Sequence, residues 1–305
     1  MAGFDIIWRL VRFPNLLLIA LTQGLVWFSL LRPVIVELNY TPYLDTFHFL
    51  LLVLCTVCIA AGGNAVNDLY DLKVDQINKP AKQIVGKWIS VEDTYRIYVI
   101  LVLFGALIAG YLSYELGRLS LFISYPFVVF FLWAYSKWFK RLPFTGNIMV
   151  SVFVASIPVV LLIPEWKNIL RPTLFYSLEH KLIWSFSFFC FGVNILREYV
   201  KDIEAVQGDK EAGAVTLPVV IGPRRAKIYA ILFAFILLAG FVAWGSLIFD
   251  QVSLFNFLYF CICLIGSLSV IIFLLWQANI KTHFHTVNQW IKFLILLGLL
   301  YILLF

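Results

Sequence analysis

Charged residues are scarce in this chain of 305 residues, and their scarcity excludes a soluble globular domain. Only 13% of the residues are charged and 62% are hydrophobic, whereas soluble domains have about 25% charged and about 45–50% apolar residues. The mean hydropathy is +0.94. This apolar excess is too large for one buried core, so the composition predicts an integral membrane protein.

Cysteine and histidine are also few, with five and four residues. Cys55 and Cys58 have CxxC spacing, but no second pair completes a metal site, so the cysteines are interpreted as buried free thiols. His283 and His285 lack a carboxylate partner in sequence and are interpreted as part of a solvated loop. Residues 1–14 are charged and precede no small-residue cleavage site, so we expect no signal peptide.

Long apolar runs make up most of the chain. A membrane-spanning helix needs about 17–25 residues, and nine segments approach or reach that length. We therefore expect an all-α, multi-pass membrane protein: one domain, residues 1–305, with about nine helices around a central apolar chamber and cytoplasmic cap loops. The segments are Leu16–Val36, Phe47–Val66, Ile97–Tyr114, Leu119–Tyr135, Ile148–Ile163, Leu182–Leu196, Ile228–Ile248, Leu254–Trp276 and Phe293–Phe305.

The distribution of Lys and Arg predicts the orientation. With the N-terminus in the cytoplasm, 18 of the 23 cationic residues fall on the inner side of the membrane. This bias follows the positive-inside rule and explains the net charge of +6 without nucleic acid. We expect a cell (cytoplasmic) membrane protein whose inner loops face the cytosol. The five outer cations are Arg32, Arg118, Lys167, Arg171 and Lys181.

Acidic and amide side chains collect where the second apolar segment ends, in "NAVNDLYDLKVDQINKP". Asn67, Asp71 and Asp75 are spaced i, i+4, i+8 and line one face if the helix continues, with Asp68 about 100° away. Oxygen ligands suit a hard cation, and Mg²⁺ binds one or two carboxylates together with substrate phosphates. Three close carboxylates also repel one another unless a cation neutralises them. The sequence therefore predicts a Mg²⁺ site here.

A second acidic stretch reads "REYVKDIEAVQGDKEAGAVTLP". Asp202 and Asp209 are two helical turns apart and share a face, unless Gly208 ends the helix and leaves Asp209 in a loop. Arg197 and Lys201 come just before them, and such cations bind phosphate. This stretch is interpreted as a second metal-binding corner.

Further cations lie on the same predicted membrane face, in "YSKWFKR" and at Arg9 and Arg12. Two metal sites, surrounding cations and an apolar chamber together fit a lipid with a diphosphate head. Each cluster alone has a plainer interpretation, because loop acids are usually solvated and inner Lys and Arg usually serve topology. The recurrence of two acidic corners with similar flanking cations favours the functional interpretation.

These motifs resemble the UbiA superfamily of intramembrane prenyltransferases. "NDLYDLKVD" matches its NDxxDxxxD motif, "YSKWFKR" is similar to its YSxxLKR segment, and "REYVKDIEAVQGD" resembles its second aspartate-rich motif. The resemblance covers nearly the whole chain. It implies Mg²⁺-dependent transfer of a polyprenyl group, most similar to geranylgeranyl transfer from the diphosphate to geranylgeranylglyceryl phosphate in ether-lipid synthesis.

The resemblance also implies residue roles. Asp68 or Asp71 would accept the proton of the acceptor. Where the family's second motif has a middle aspartate, this chain has Ala205, so either Glu204 substitutes for it or the second metal ion has fewer ligands. The implied metal ligands are Asn67, Asp71 and Asp75 for one Mg²⁺, with Asp202 and Asp209 for the other. The implied substrate-binding residues are Arg9, Tyr135, Lys140, Arg197 and Lys201.

Other functions stay open on the sequence. An aromatic acceptor, hydroxybenzoate or dihydroxynaphthoate, would place the chain in quinone biosynthesis. An ion transporter is disfavoured because the acids gather at one membrane face, and a non-catalytic lipid-binding scaffold would need only the fold. The expected partners are a polyprenyl diphosphate donor, a lipid or aromatic acceptor and membrane lipid, but not nucleic acid.

Overall fold

Helices account for nearly all of the structure. The computed structural model describes residues 3–72, 76, 83–211 and 213–305, and within these ranges no β-strand occurs apart from one isolated bridge between Val85 and Ile89. The all-α, multi-pass prediction is confirmed. The longer helices are α1 (Gly3–Leu10), α2 (Phe13–Glu37), α3 (Thr46–Tyr70), α4 (Val91–Glu115), α5 (Leu119–Lys137), α6 (Thr145–Leu162), α7 (Leu178–Glu211), α8 (Pro223–Gln251), α9 (Leu254–Gln277) and α10 (Lys281–Ile302).

Capping residues fix where several helices begin. The Asp45 side chain accepts a hydrogen bond from the backbone N–H of His48 at the start of α3. The Ser90 side chain accepts one from the backbone N–H of Asp93 at the start of α4. Such caps satisfy backbone donors that have no partner inside the helix.

Eight helices in the described residues are long and apolar enough to cross a membrane, namely α2 to α6 and α8 to α10. The remaining predicted segment, Leu182–Leu196, forms part of α7, which is 34 residues long. Its apolar stretch is short, and Lys181 and Arg197 flank it. Beyond this apolar stretch α7 continues as a helix to Glu211.

The chain forms two compact units, and the first comprises Met1–Lys140 and Ile157–Ser177. At one end of this unit the segments predicted to lie outside the membrane are joined by hydrogen bonds. The Leu44 N–H donates to Glu165 Oε1 at 2.8 Å, and Arg118 Nε donates to the Pro164 carbonyl at 3.0 Å. These contacts bring the predicted outer loops of this unit together.

Small residues allow close helix packing in this unit. Gly105 on α4 faces Tyr125 on α5, whose hydroxyl donates to the Val102 carbonyl at 2.6 Å. Close approach at a small residue is a common basis of helix association in membranes.

A cavity of about 850 Å³ lies between α3, α4 and α5.

The second unit comprises Arg141–Ser156 and Leu178–Phe305. Its core is formed by buried apolar side chains of α7 to α10. Polar side chains also link the first part of α6 to α7 at intervals of about one turn, so the two helices are held in register. These links are Asn147 to Asp202 (2.8 Å), Asn194 to Ser151 (3.1 Å) and Ser187 to the Ala155 carbonyl (2.7 Å).

Candidate active site

The first acidic corner lies at the end of α3. The helix continues past its apolar run to Tyr70, and Asp71 is its C-cap residue. Asn67 Nδ2 donates to Asp71 Oδ2 at 2.9 Å, so these two predicted ligands are adjacent. Asp75, the third predicted ligand, lies outside the described residues.

A lysine ammonium group lies against both of these side chains. Lys140 Nζ donates to Asn67 Oδ1 at 3.3 Å and forms an ion pair with Asp71 Oδ2. The family resemblance implied that Lys140 binds the substrate diphosphate. In the structure its ammonium group contacts the Asn67 and Asp71 side chains of the first acidic corner. The amide oxygen and the carboxylate are therefore already arranged around a positive charge.

Arg12 completes this corner. Its Nη2 atom is 2.8 Å from Asp68 Oδ1, and the Asp68 side chain is mostly buried. Asn64 Nδ2 donates to the Val11 carbonyl at 2.9 Å, which holds the connection between α1 and α2 beside α3. Arg9, the predicted substrate contact, is exposed on α1, and among the described residues the cation that reaches the aspartates from this connection is Arg12.

Tyr135 lies near the end of α5 and is partly buried. Two residues earlier, Trp133 Nε1 donates to the Tyr70 hydroxyl at 3.1 Å and connects the end of α5 to the end of α3. This contact positions the segment that carries Tyr135 and Lys140 next to the first acidic corner.

The second acidic corner lies on α7. The helix continues through Gly208, so Asp202 and Asp209 share a face and Asp209 is not a loop residue. Asn147 Nδ2 donates to Asp202 Oδ2 at 2.8 Å, and Thr216 Oγ1 is 3.4 Å from Asp209 Oδ2. The sequence analysis missed Asn147, whose only signal is a polar residue at the start of an apolar segment.

Desolvation by burial raises the pKa of Asp202 to about 7. The hydrogen bond from Asn147 opposes this shift, and the nearby Glu198 carboxylate adds to it. Burial disfavours the charged form of a carboxyl group. A cation at this corner would favour the charged form again.

Arg197 and Lys201, the predicted diphosphate contacts on α7, both bind the carboxylate of Glu198. Glu198 Oε1 is 2.8 Å from Arg197 Nη1, and Oε2 is 2.6 Å from Lys201 Nζ. The Arg197 Nε atom is buried and has no hydrogen-bond partner among the described residues. Glu198 was not singled out from the sequence, although it lies one turn before Asp202.

Glu204 is directed away from this corner. Its carboxylate lies 3.0 Å from His285 Nδ1 and accepts a hydrogen bond from Asn288 Nδ2 at 3.4 Å, both on α10. Glu204 therefore does not substitute for the carboxylate missing at Ala205. The prediction of a solvated loop at His285 was also wrong, because His285 is on a helix and is paired with Glu204.

Both corners offer oxygen donors, the ligand type that hard divalent cations prefer. In the described residues, no three His, Cys, Asp or Glu side chains are arranged to hold a metal ion together. A cation that takes one or two carboxylates and completes its coordination with phosphate oxygens and water still fits. The buried Arg197 Nε atom likewise fits an anionic ligand. The fold and the two acidic corners define a class of protein: a helical membrane protein whose carboxylates and neighbouring cations can bind a divalent metal ion and an anion.

The chain belongs to the UbiA prenyltransferase family, whose family model matches residues 25–302. The match extends across both compact units.

Similar sequences are archaeal digeranylgeranylglyceryl phosphate synthases. The one from Korarchaeum cryptofilum is 35% identical over 176 residues, which are 58% of this chain and 57% of the relative. The one from Thermococcus kodakarensis is 32% identical over 200 residues, 66% of this chain and 65% of the relative. The matches thus cover less than two thirds of these relatives' lengths.

Solved structures share the fold over nearly the full chain. A digeranylgeranylglyceryl phosphate synthase structure aligns with a TM-score of 0.65 at 19% identity, covering 100% of this chain and 99% of the other. A UbiA homologue from Archaeoglobus fulgidus bound to GPP and Mg²⁺ aligns with a TM-score of 0.58 at 16% identity, covering 97% and 99%.

Proposed function

We propose that this chain is a Mg²⁺-dependent intramembrane prenyltransferase. It transfers a polyprenyl group, geranylgeranyl, from its diphosphate to geranylgeranylglyceryl phosphate in ether-lipid synthesis. The observation that carries the proposal is the pairing of oxygen donors with cations at the end of α3, where Lys140 contacts both Asn67 and Asp71. The similar synthases support the acceptor, and the homologue bound to GPP and Mg²⁺ supports the donor class and the metal.

In the first unit, Asn67 and Asp71 would hold a Mg²⁺ ion, and Asp75, four residues further along the sequence, would be the third ligand. A bound Mg²⁺ ion neutralises negative charge on a diphosphate and makes it a better leaving group. Lys140 lies next to these ligands and would bind diphosphate oxygens, with Tyr135 and Arg9 as further substrate contacts.

In the second unit, Asp202 and Asp209 would hold a second Mg²⁺ ion. Asn147 orients the Asp202 carboxylate through its hydrogen bond of 2.8 Å. Arg197 offers a planar guanidinium for bidentate binding of phosphate, and Lys201 offers a compact positive charge.

Asp68 is our candidate for the acceptor's base. Its Oδ1 atom is held 2.8 Å from Arg12 Nη2, and Asp68 is not among the proposed metal ligands. In the proposed step the acceptor oxygen bonds to C1 of the prenyl chain, the C1–O bond breaks, diphosphate leaves with the electron pair, and the acceptor proton goes to the carboxylate. Asp71 is the alternative base.

We also propose that the acidic corners face the cytosol in a cell membrane. Within the first unit, Arg12 and Lys140 lie at the end that carries the acids, and Arg118 lies at the opposite end. This arrangement follows the inner bias of cationic residues.

The proposal is tested with the purified chain in detergent, Mg²⁺ and geranylgeranyl diphosphate. Geranylgeranylglyceryl phosphate, 4-hydroxybenzoate and dihydroxynaphthoate are offered separately, and products are identified by mass spectrometry. We expect an ether-lipid product that is lost on chelation of Mg²⁺. A prenylated aromatic product would overturn the acceptor, and the absence of both product and diphosphate release would favour a transporter or a lipid-binding scaffold.

A further inference from the structure

Glu198 shares a helical face with the two aspartates of the second corner. It precedes Asp202 by four residues and Asp209 by eleven, so the three positions fall within about 40° of one another around α7. Its side chain is only 15% exposed. Side chains on a helix tilt toward the N-terminus, so the Asp202 carboxylate leans toward the turn that carries Glu198.

The other acids in the second half of α7 are not available to this corner. Glu204 is directed to His285 and Asn288 on α10. Glu211 lies on the opposite side of the helix from Glu198, about 220° around it. Position 205 lies on the ligand face but is an alanine, which has no ligating atom.

In this structure Glu198 neutralises Arg197 and Lys201, the two cations that we propose bind the diphosphate. Its two oxygens are 2.8 Å from Arg197 Nη1 and 2.6 Å from Lys201 Nζ. A diphosphate is a stronger partner for an arginine and a lysine together than a single carboxylate, because it carries more negative charge and has more acceptor oxygens. Its arrival would release the Glu198 carboxylate beside two other acids, where an uncompensated charge is costly.

We propose that Glu198 is an exchanging ligand of the second metal ion. In the free protein it holds Arg197 and Lys201, and when a diphosphate takes over these cations, Glu198 joins Asp202 and Asp209 on the metal. The inference rests on the proposed function and adds to it a coupling: metal binds more tightly at this corner when the diphosphate is present. The same residue supplies the carboxylate that Ala205 does not.

The test measures Mn²⁺ binding to the purified full-length chain in detergent by electron paramagnetic resonance. Binding is measured with and without geranylgeranyl thiolodiphosphate, a donor analogue that resists cleavage, and the signal of Mn²⁺ with analogue alone is subtracted. Glu198→Gln should weaken Mn²⁺ binding in the presence of the analogue by roughly ten-fold or more, the range seen for supporting groups of metal sites. Without the analogue, Glu198→Gln should change Mn²⁺ affinity little.

A carboxylate introduced at position 205 should restore the Mn²⁺ affinity that Glu198→Gln loses. Because Ala205 is one turn from both Asp202 and Asp209 on the same face, Glu198→Gln combined with Ala205→Asp should regain Mn²⁺ affinity. Ala205→Asp alone should tighten Mn²⁺ binding even without the analogue, since the new carboxylate is not held by Arg197 and Lys201. Glu211→Gln, on the opposite face of α7, is the matched control and should behave like the unmodified chain.

Failure of this inference is distinguishable from failure of the proposed function. Unchanged Mn²⁺ binding in Glu198→Gln with analogue, while Asp202→Asn weakens it, would overturn the role of Glu198 alone. Unchanged binding in both Asp202→Asn and Asp71→Asn would overturn the metal sites themselves. If Glu198→Gln does not fold, the single variant Ala205→Asp becomes the test. If Ala205→Asp does not bind Mn²⁺ more tightly than the unmodified chain without the analogue, the inference is rejected.

Discussion

Asp71 is the residue on which the first corner depends, because its carboxylate receives both the Asn67 amide and the Lys140 ammonium. Its position follows from the helix, since α3 ends at Tyr70 and Asp71 caps it. A short carboxylate at a helix end can face water while the helix itself remains in lipid. This geometry suits a ligand with a charged head and an apolar tail.

Replacing Asp71 should therefore separate function from folding. Asp71→Asn keeps the size of the side chain and its contact with Asn67 but removes the negative charge, and we expect prenyl transfer to fall by at least about 10–100-fold, the loss typical when a group that supports a metal site is removed. The thermal unfolding temperature in detergent should change little. Asp93→Asn, on the exposed first turn of α4, is the control, and a near-normal rate in Asp71→Asn would rule out the proposed metal site.

The pKa of Asp202 predicts a dependence of stability on pH. The group titrates at about 7 in the folded chain and at about 3.9 when unfolded, so the folded state binds the proton more tightly. Without metal, stability is therefore expected to fall as the pH rises from about 4 to about 7. Added Mg²⁺ should oppose this loss near pH 7.5, because it favours the ionised carboxylate.

Thermal unfolding in EDTA at pH 5.5 and 7.5 measures this effect. Asp202→Asn, which cannot titrate, should reduce the difference between the two temperatures. An equal pH difference in Asp202→Asn and the unmodified chain would show that another group is responsible.

At the scale of elements, the sequence predicted which segments are helices better than where they end. Periodicity placed Asp202 and Asp209 on one face, but Gly208 left open whether the helix reached Asp209. The structure continues α7 to Glu211, and the side chains of this charged half contact Asn147, His285 and Asn288 on α6 and α10. Such tertiary contacts are long-range in sequence, so local patterns contain no signal for them.

The same reason explains why Asn147 was missed. It matters because of the atom it contacts, and its partner Asp202 becomes visible only when α6 and α7 pack together. Glu198 contacts its neighbours Arg197 and Lys201 on the same helix, so the i, i+3 spacing of Glu198 and Lys201 was a local signal that the sequence offered. The family resemblance implied Arg9 as a substrate contact. The sequence has no signal that distinguishes it from Arg12, because only the backbone turn between α1 and α2 directs Arg12 toward Asp68.

Packing between α4 and α5 yields a prediction at this scale. A Cβ atom at Gly105 would lie 2.5 Å from the Tyr125 hydroxyl, whereas one at Gly110 on the same helix would meet Phe122 at 3.8 Å. Gly105→Ala should displace Tyr125, break its hydrogen bond to the Val102 carbonyl and cost about 1–3 kcal/mol, the usual range for overpacking.

Thermal unfolding of the two variants in the same detergent tests this prediction. Gly110→Ala should unfold close to the unmodified chain, because an ordinary van der Waals contact accommodates the added methyl group. Equal stability of both variants would mean that Tyr125 moves at no cost.

At the scale of the whole molecule, composition was sufficient for the class of protein but not for the number of membrane spans. The Leu182–Leu196 segment was counted with the others because it is apolar, yet it lies within a longer helix with charged residues on both sides. The orientation in the membrane was predicted from the excess of Lys and Arg on the inner side. This rule depends on the membrane as well as on the chain.

Orientation can be measured within the first unit. Tyr176 is exposed at the end that contains Glu165, whereas Lys87 is exposed in the connection between α3 and α4, next to the end that carries Asp71. In a background in which the five native cysteines are replaced, a membrane-impermeant maleimide added to intact cells should label Tyr176→Cys and not Lys87→Cys. Permeabilising the membrane should make both react. The reverse labelling pattern would place the acidic corner outside the cell, where a cytosolic diphosphate donor could not reach it, and would overturn the orientation on which the positive-inside argument depends.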